Sequence, residues 1–278
     1  MKSDAKGGNS IVETIKTIVY ALLIAGIFRT LFFQPFWIPS GSMKDTLLIG
    51  DFLFVNKMAY GYSYASCPSI RIASLGINLD AKKICGFLDG DNTRLLGSEP
   101  ERGDIIVFRH PVNGTDFIKR LVGLPGDKVQ VKDGVLNING SPVKLEPAGS
   151  FDEVAEPQGP MGSRPRCENG VVGEGGLCSK SRMIETLPGG HAHSILNIGD
   201  QRSDNTAVFS VPEGHYFFMG DNRDNSTDSR FPQTVGGVGF VPYENLIGRA
   251  GRVVFSSAGR SMLYFWTWRS DRFFKRLE

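Results

Sequence analysis

Histidine is scarce in this 278-residue chain: four in all, His110, His191, His193 and His215. None stands in a catalytic context, and His110 before Pro111 reads as a strand end, so a histidine-based triad has little to rest on. Cysteine is limited to four residues, no two in Cys-x-x-Cys spacing, and His191 and His193 lie in a Gly-rich stretch away from them, which argues against zinc. The formal net charge is only +2 and no basic run is interleaved with aromatics, which removes the case for nucleic acid. No metal or cofactor is expected. No amphipathic helix of ordinary length is visible either. What remains is ordinary globular composition, 41% hydrophobic and 22% charged, in a chain long enough for one or two domains with a core.

Charge is absent from Thr17 to Phe28, and apolar character resumes after Arg29-Thr30 with Leu31-Phe-Phe33 and Phe36-Trp-Ile38. As a helix, Thr17 to Phe33 spans roughly 26 Å at about 1.5 Å per residue. That is just short of the ~30 Å hydrocarbon layer. Snorkelling by Lys16 and Arg29 and an aromatic belt at Phe32, Phe33, Phe36 and Trp37 make up the difference. A cleavable secretory signal is the alternative, but arginine and bulky aromatics follow the run where a cleavable signal has small residues. The expected order is a short cytoplasmic N-terminus (1–10) and a single transmembrane signal anchor (11–33), with the rest of the chain outside. Lys2, Lys6 and Lys16 before the span, against Lys44 close behind it, favour that orientation.

Beyond the anchor the chain reads as mainly β, a barrel-like catalytic domain over 34–140 and 207–256. Short strands are expected at 52–55, 105–108, 117–122, 128–132, 135–138 and 216–219, at Ile247 and at 252–255, each bounded by Gly, Pro, Asn or Asp. Lys132-Asp-Gly-Val135 and Asn137-Ile-Asn-Gly140 are hairpin signals. From 141 to 206 apolar density falls, which predicts a loop-rich β insertion as an inserted subdomain, and residues 257–278 carry aromatic and basic side chains suited to a membrane interface or to packing on the β-core. Cys167 and Cys178 bracket a Gly-rich loop in a chain expected to face an oxidising compartment, so a disulfide is expected there. Cys67 with Cys85 is the second pair by default, although four cysteines allow three connectivities.

Three blocks carry the chemistry: Pro39-Ser-Gly-Ser-Met43 just past the anchor, Phe117-Ile-Lys-Arg-Leu-Val-Gly-Leu-Pro-Gly-Asp127, and Gly220-Asp-Asn-Arg-Asp-Asn-Ser-Thr-Asp-Ser-Arg230. A serine hydroxyl is a poor nucleophile until a base takes its proton. If that base is a lysine, its pKa must fall from about 10.4 to about 7, roughly 4 kcal/mol of differential interaction. Burial does this by disfavouring the charged form. In a strand, Lys119 shares a face with Phe117 and Leu121 while Arg120 points away with Ile118 and Val122.

In their order and residues the three blocks resemble the bacterial type I signal peptidases, or leader peptidases, over roughly 34–127 and 211–252. The resemblance implies a serine endopeptidase of the inner membrane, its catalytic domain periplasmic, that removes signal peptides from exported preproteins as they leave the translocon. It implies Ser42 as nucleophile, Lys119 as general base, and the Ser40 hydroxyl with the Ser42 amide as oxyanion hole. Ser226 would orient the lysine, Asp228 and Arg230 would brace it as an ion pair, and Asp221, Arg223 and Arg120 would belong to the same charged network. The peptide would lie extended between the strand before the serine and the strand carrying the lysine. Phe36, Ile38, Pro39, Met43, Leu47, Phe117, Ile118 and Thr227 match the pocket walls, whose bulk leaves room for Ala-x-Ala-like residues. Phe117 stands where the family often has tyrosine. The rival readings are a conjugation-type Ser/Lys processing peptidase, a self-cleaving repressor, which lacks an anchor, and a tethered β-domain that only binds secreted partners.

Overall fold

A computed structural model describes residues 8–72, 77–88, 94–159, 161–259 and 261–277, so most of the expected cytoplasmic segment (1–7) lies outside the described residues. Helix α1 (Gly8–Leu31) has no one-sided apolar stripe, and from Ile11 to Leu31 it is long and apolar enough to cross a membrane. Its side chains there are almost all exposed, so no protein core accounts for their apolar character. The expected span reaches residue 33, but the helix stops at Leu31. Pro35 excludes a helical interior and biases Gln34 to extended backbone. Accordingly Phe33 begins strand β1 (Phe33–Trp37), an edge strand where a proline is tolerated. The junction is tied: Lys57 N–H donates to the Phe32 carbonyl at 3.0 Å, and the Tyr62 hydroxyl donates to that of Leu31.

After β2 (Asp51–Asn56) come a small hairpin, β3 (Ile70–Ile72) with β4 (Ile77–Leu79), and a single helical turn, α2 (Ala81–Cys85). The remaining strands are β5 (Ile105–Arg109), β6 (Asp116–Gly123), β7 (Lys128–Lys132), β8 (Val135–Ile138), β9 (Ser141–Pro142), β10 (Lys144–Val154), β11 (Leu177–Thr186), β12 (Ala192–Asn197), β13 (Phe209–Ser210), β14 (His215–Met219), β15 (Val241–Pro242) and β16 (Leu246–Ser256). The main sheet has seven strands in the order β1-β2-β16-β5-β6-β14-β15. A second sheet has the order β13-β7-β8-β9. Its two hairpins turn on Asp133-Gly134 and Asn139-Gly140, all four at positive φ, as the sequence signals predict. The two short segments expected at Ile247 and 252–255 are one strand, bent by register shifts near Ala250 and Val253.

The inserted region, expected as a loop-rich β insertion, has β10, β11 and β12 in a three-stranded antiparallel sheet with strands of eleven, ten and six residues. Most of β10 is exposed, so its solvent side is filled with Lys, Glu, Ser and Asp and the apolar signal of a strand is diluted.

Strand β6 reaches all three core clusters. Ile118 joins Ile38, Leu53 and Val107; Leu121 joins Phe108 and Phe218; Val122 joins Val129 and Phe217. Each of the fully buried phenylalanines contributes roughly 1.5–3 kcal/mol. The lysine of the second block is therefore carried by one of the most firmly packed strands. Both cysteine pairs, Cys67–Cys85 and Cys167–Cys178, are disulfides. The C-terminal segment packs in part on the β-core, one of the two expectations for it. Trp268 and Phe273 pack on Phe255, with ring centroids 5.0 and 5.1 Å away, while Leu263, Phe265 and Trp266 stay exposed.

Candidate active site

Ser42 lies in a tight loop after β1. Lys44 N–H donates to the Gly41 carbonyl (3.2 Å) and Leu47 N–H to that of Met43 (2.7 Å). Asn222 grips the loop from the third block: its Nδ2 donates to the Gly41 carbonyl at 2.8 Å and its N–H to the Ser42 carbonyl at 3.1 Å. The hydroxyl is thus held by its own backbone, facing β6. There the Lys119 Nζ lies 2.6 Å from Ser42 Oγ and 3.1 Å from the Ile118 carbonyl.

Lys119 is only 4% exposed, with the Phe117 ring centroid 5.6 Å from its amine. Burial pulls its pKa down to about 8, against the opposing pull of Asp228 and Asp221. The amine is therefore neutral in about a tenth of molecules at pH 7 and in about half near pH 8. Ser40 Oγ lies 3.5 Å from Ser42 Oγ.

The third block braces the two partners. Arg120 clasps Asp221 with two contacts, and Thr46 Oγ1 donates to the same carboxylate at 2.5 Å. Burial pushes Asp221 up, but Arg120 outweighs it and holds the carboxyl below its ordinary range. Asp228 and Arg230 form a buried ion pair at 2.9 Å, and Asp228 also accepts the Gly220 N–H at 3.0 Å. Arg223 turns away to Glu185 on β11 at 2.8 and 2.5 Å, a partner with no pattern in the sequence to announce it. Arg120 and Asp221 sit beside the lysine and serine segments, whereas Arg223 joins the block to the inserted sheet.

Ser226 does not make the contact expected of it. Its Oγ is buried and lies by Asp228, whose carboxyl it helps hold low, and the carbonyl of Ile118 holds the amine instead. It is close by all the same: a Cβ added to Gly220 would lie 2.2 Å from Ser226 Oγ and 2.6 Å from the Ser42 carbonyl, so only glycine fits there.

The expected pocket walls divide in two. Ile38, Met43, Leu47 and Ile118 are buried in the core, Leu47 fully so. Phe36, Pro39 and Phe117 are partly exposed and Thr227 is exposed. None of the four histidines bonds to Ser42: His110 pairs with Gly237, His191 with Arg120 and His215 with Glu213, while His193 lies 3.4 Å from Glu185. Among the described residues no cluster of three or more His, Cys, Asp or Glu forms a metal site.

The family described as signal peptidase, peptidase S26, matches residues 11–255. The chain belongs to this family of serine endopeptidases. It is 35% identical over 264 residues to signal peptidase I of Rickettsia typhi, covering 92% of this chain and 84% of that protein. It is 36% identical over 250 residues to the Rickettsia canadensis protein of the same name, covering 87% and 79%. A solved signal peptidase I from Enterococcus faecalis V583 shares 27% identity over 55% of this chain and 97% of its own, with a TM-score of 0.29. Membership of this family replaces the reading of a tethered domain that only binds. Its apolar N-terminal helix makes it a membrane-anchored member.

Proposed function

We propose that this enzyme removes N-terminal signal peptides from exported preproteins with Ser42 as nucleophile and Lys119 as general base. The observation that carries the reading is the 2.6 Å contact between a buried lysine amine and Ser42 Oγ, in a family of signal peptidases. The neutral amine takes the Ser42 proton as Oγ bonds to the scissile carbonyl carbon. The resulting oxyanion is received by the Ser40 hydroxyl and the Ser42 N–H. The protonated Lys119 then passes its proton to the leaving amine, and the C–N bond breaks to leave an acyl-enzyme. Water, deprotonated by the same amine, releases the signal peptide's new carboxylate and restores Ser42. Ser226, buried beside the Ser42 backbone, supplies the amine's second hydrogen bond when the amine turns from the Ile118 carbonyl.

The partly exposed Phe36, Pro39 and Phe117 beside buried apolar neighbours support a preference for small-x-small cleavage sites, since bulky walls exclude larger residues. On this reading the catalytic domain works at the outer face of the inner membrane, near preproteins leaving the translocon, and the anchor, with Phe28, Phe32 and Phe33 clustered at its end, supports it. The exposed Leu263, Phe265 and Trp266 suit contact with the bilayer interface. Cleavage of a model preprotein by detergent-solubilised protein tests the reading: Ser42→Ala and Lys119→Ala should each fall to background while remaining folded. Full activity in either would refute it.

A further inference from the structure

The residues following the nucleophile motif are fastened to the inserted sheet. Lys44, second after Ser42, points inward, and its Nζ donates to Glu153 Oε2 at 2.5 Å and to Gln158 Oε1 at 2.7 Å. Gln158 Nε2 donates to the same Glu153 oxygen at 2.6 Å, and the other oxygen accepts from Lys180 on β11. Both lysine side chains are almost wholly buried. Burying a charge costs several kcal/mol unless a partner offsets it, so this loop lysine is paired by the fold and is no solvated surface group. Burial pulls Lys44 down while Glu153 pulls it back, and the carboxyl of Glu153, which burial alone would raise, is held below its usual range by Lys44 and Lys180.

Geometry connects this pairing to the reacting serine. The Lys44 stem runs beneath Gly41, where an added Cβ would lie 3.3 Å from Lys44 Cε, and the Lys44 N–H closes the turn on the Gly41 carbonyl. The next two residues are held as well: Asp45 accepts from Ser194 on β12 at 2.9 Å, and Thr46 donates to Asp221. Asn222, in the third block, grips Gly41 and Ser42. The Ser42 loop is therefore held between the third block and the insertion.

We propose that Lys44 is a positioning residue for Ser42: fastened to Glu153 and Gln158, it lets the inserted sheet set the direction in which Ser42 Oγ faces Lys119 and the scissile carbonyl. The inference rests on Ser42 being the nucleophile. Misplacement by about 1 Å can cost on the order of a hundredfold in rate, so a slackened loop should lower turnover without weakening substrate binding.

Lys44→Met is the informative change, because it leaves Glu153 paired one to one with Lys180. Steady-state kinetics of the full chain in detergent on a model preprotein, with the melting temperature of each variant, provide the test. The expected result is a kcat lowered about tenfold or more, KM within about twofold of wild type, an unchanged pH midpoint of the rate, and substantial recovery in Lys44→Arg. A kcat within twofold of wild type, a loss confined to KM, or a loss that only follows the fraction unfolded would overturn the proposal. Should Lys44→Met fail to fold, Glu153→Asp, which keeps the charge and shortens the reach, is read by the same criteria. An inactive Ser42→Ala beside a fully active Lys44→Met would overturn this inference alone, whereas an active Ser42→Ala would remove the reading beneath it.

Discussion

Arg120 and Asp221 meet in two parallel contacts, Nε to Oδ1 at 2.9 Å and Nη2 to Oδ2 at 2.8 Å, with both side chains buried. Arg120 directly follows Lys119, and Asp221 directly precedes the asparagine that holds the Ser42 carbonyl, so the pair links the strand of the proposed base to the support of the proposed nucleophile. Asp221→Asn leaves a buried guanidinium without its counter-charge and should destabilise by about 3–5 kcal/mol. Denaturant unfolding of single and double variants checks this, and replacing both partners should cost less than the sum of the two single changes.

The same carboxylate should contribute to acid sensitivity. Its folded pKa lies below the unfolded value, so its contribution is present above the ordinary carboxylate range and disappears as pH falls through the lowered folded pKa. Melting temperatures between neutral pH and about pH 3 should fall more steeply for wild type than for Asp221→Asn. Parallel curves would show that Asp221 contributes nothing to the acid limb.

Lys119 should cost stability in return for its proposed role. Its folded pKa is about 8, below the unfolded value, so the folded state binds fewer protons and stability rises with pH between about 8 and the ordinary lysine range. Lys119→Met should therefore raise the melting temperature at neutral pH while abolishing cleavage, and the gain should shrink in alkali. A less stable Lys119→Met at neutral pH would contradict this.

Much of this was legible in the sequence because the signals are local. Pro39-Ser-Gly-Ser-Met43 and the Ile-Lys-Arg run each occupy one turn or strand, and the Asp-Gly and Asn-Gly turns need positive φ that few other residues adopt. The hidden parts are the long-range ones. Glu185, Glu153 and Lys180 sit in strands whose open side is polar, so nothing marks them as partners of Arg223 and Lys44 until β11 and β10 are laid against the Ser42 loop. The helix end at Leu31 was written in Pro35, but the apolar run of Phe32 and Phe33 obscured it.

Ser226→Ala should slow the reaction strongly and leave KM near normal, since the contact proposed for its hydroxyl matters mainly in the transition state. Equal effects on kcat and on thermal stability, with KM raised, would assign the residue to packing against Gly220 alone.

Non-reducing peptide mass spectrometry of protein isolated from cells should recover the Cys167–Cys178 and Cys67–Cys85 cross-links. Free thiols at these positions would place the domain in a reducing compartment, against the proposed orientation.

The pH dependence of kcat/KM on a model preprotein tests the central claim most directly. With Lys119 as base, the rate should be lost in acid, rise with pH through a midpoint near 8, and keep that midpoint when all four histidines are replaced. A midpoint near about 6.5 that disappears with one of those histidines would make a histidine the base and contradict the assignment of Lys119.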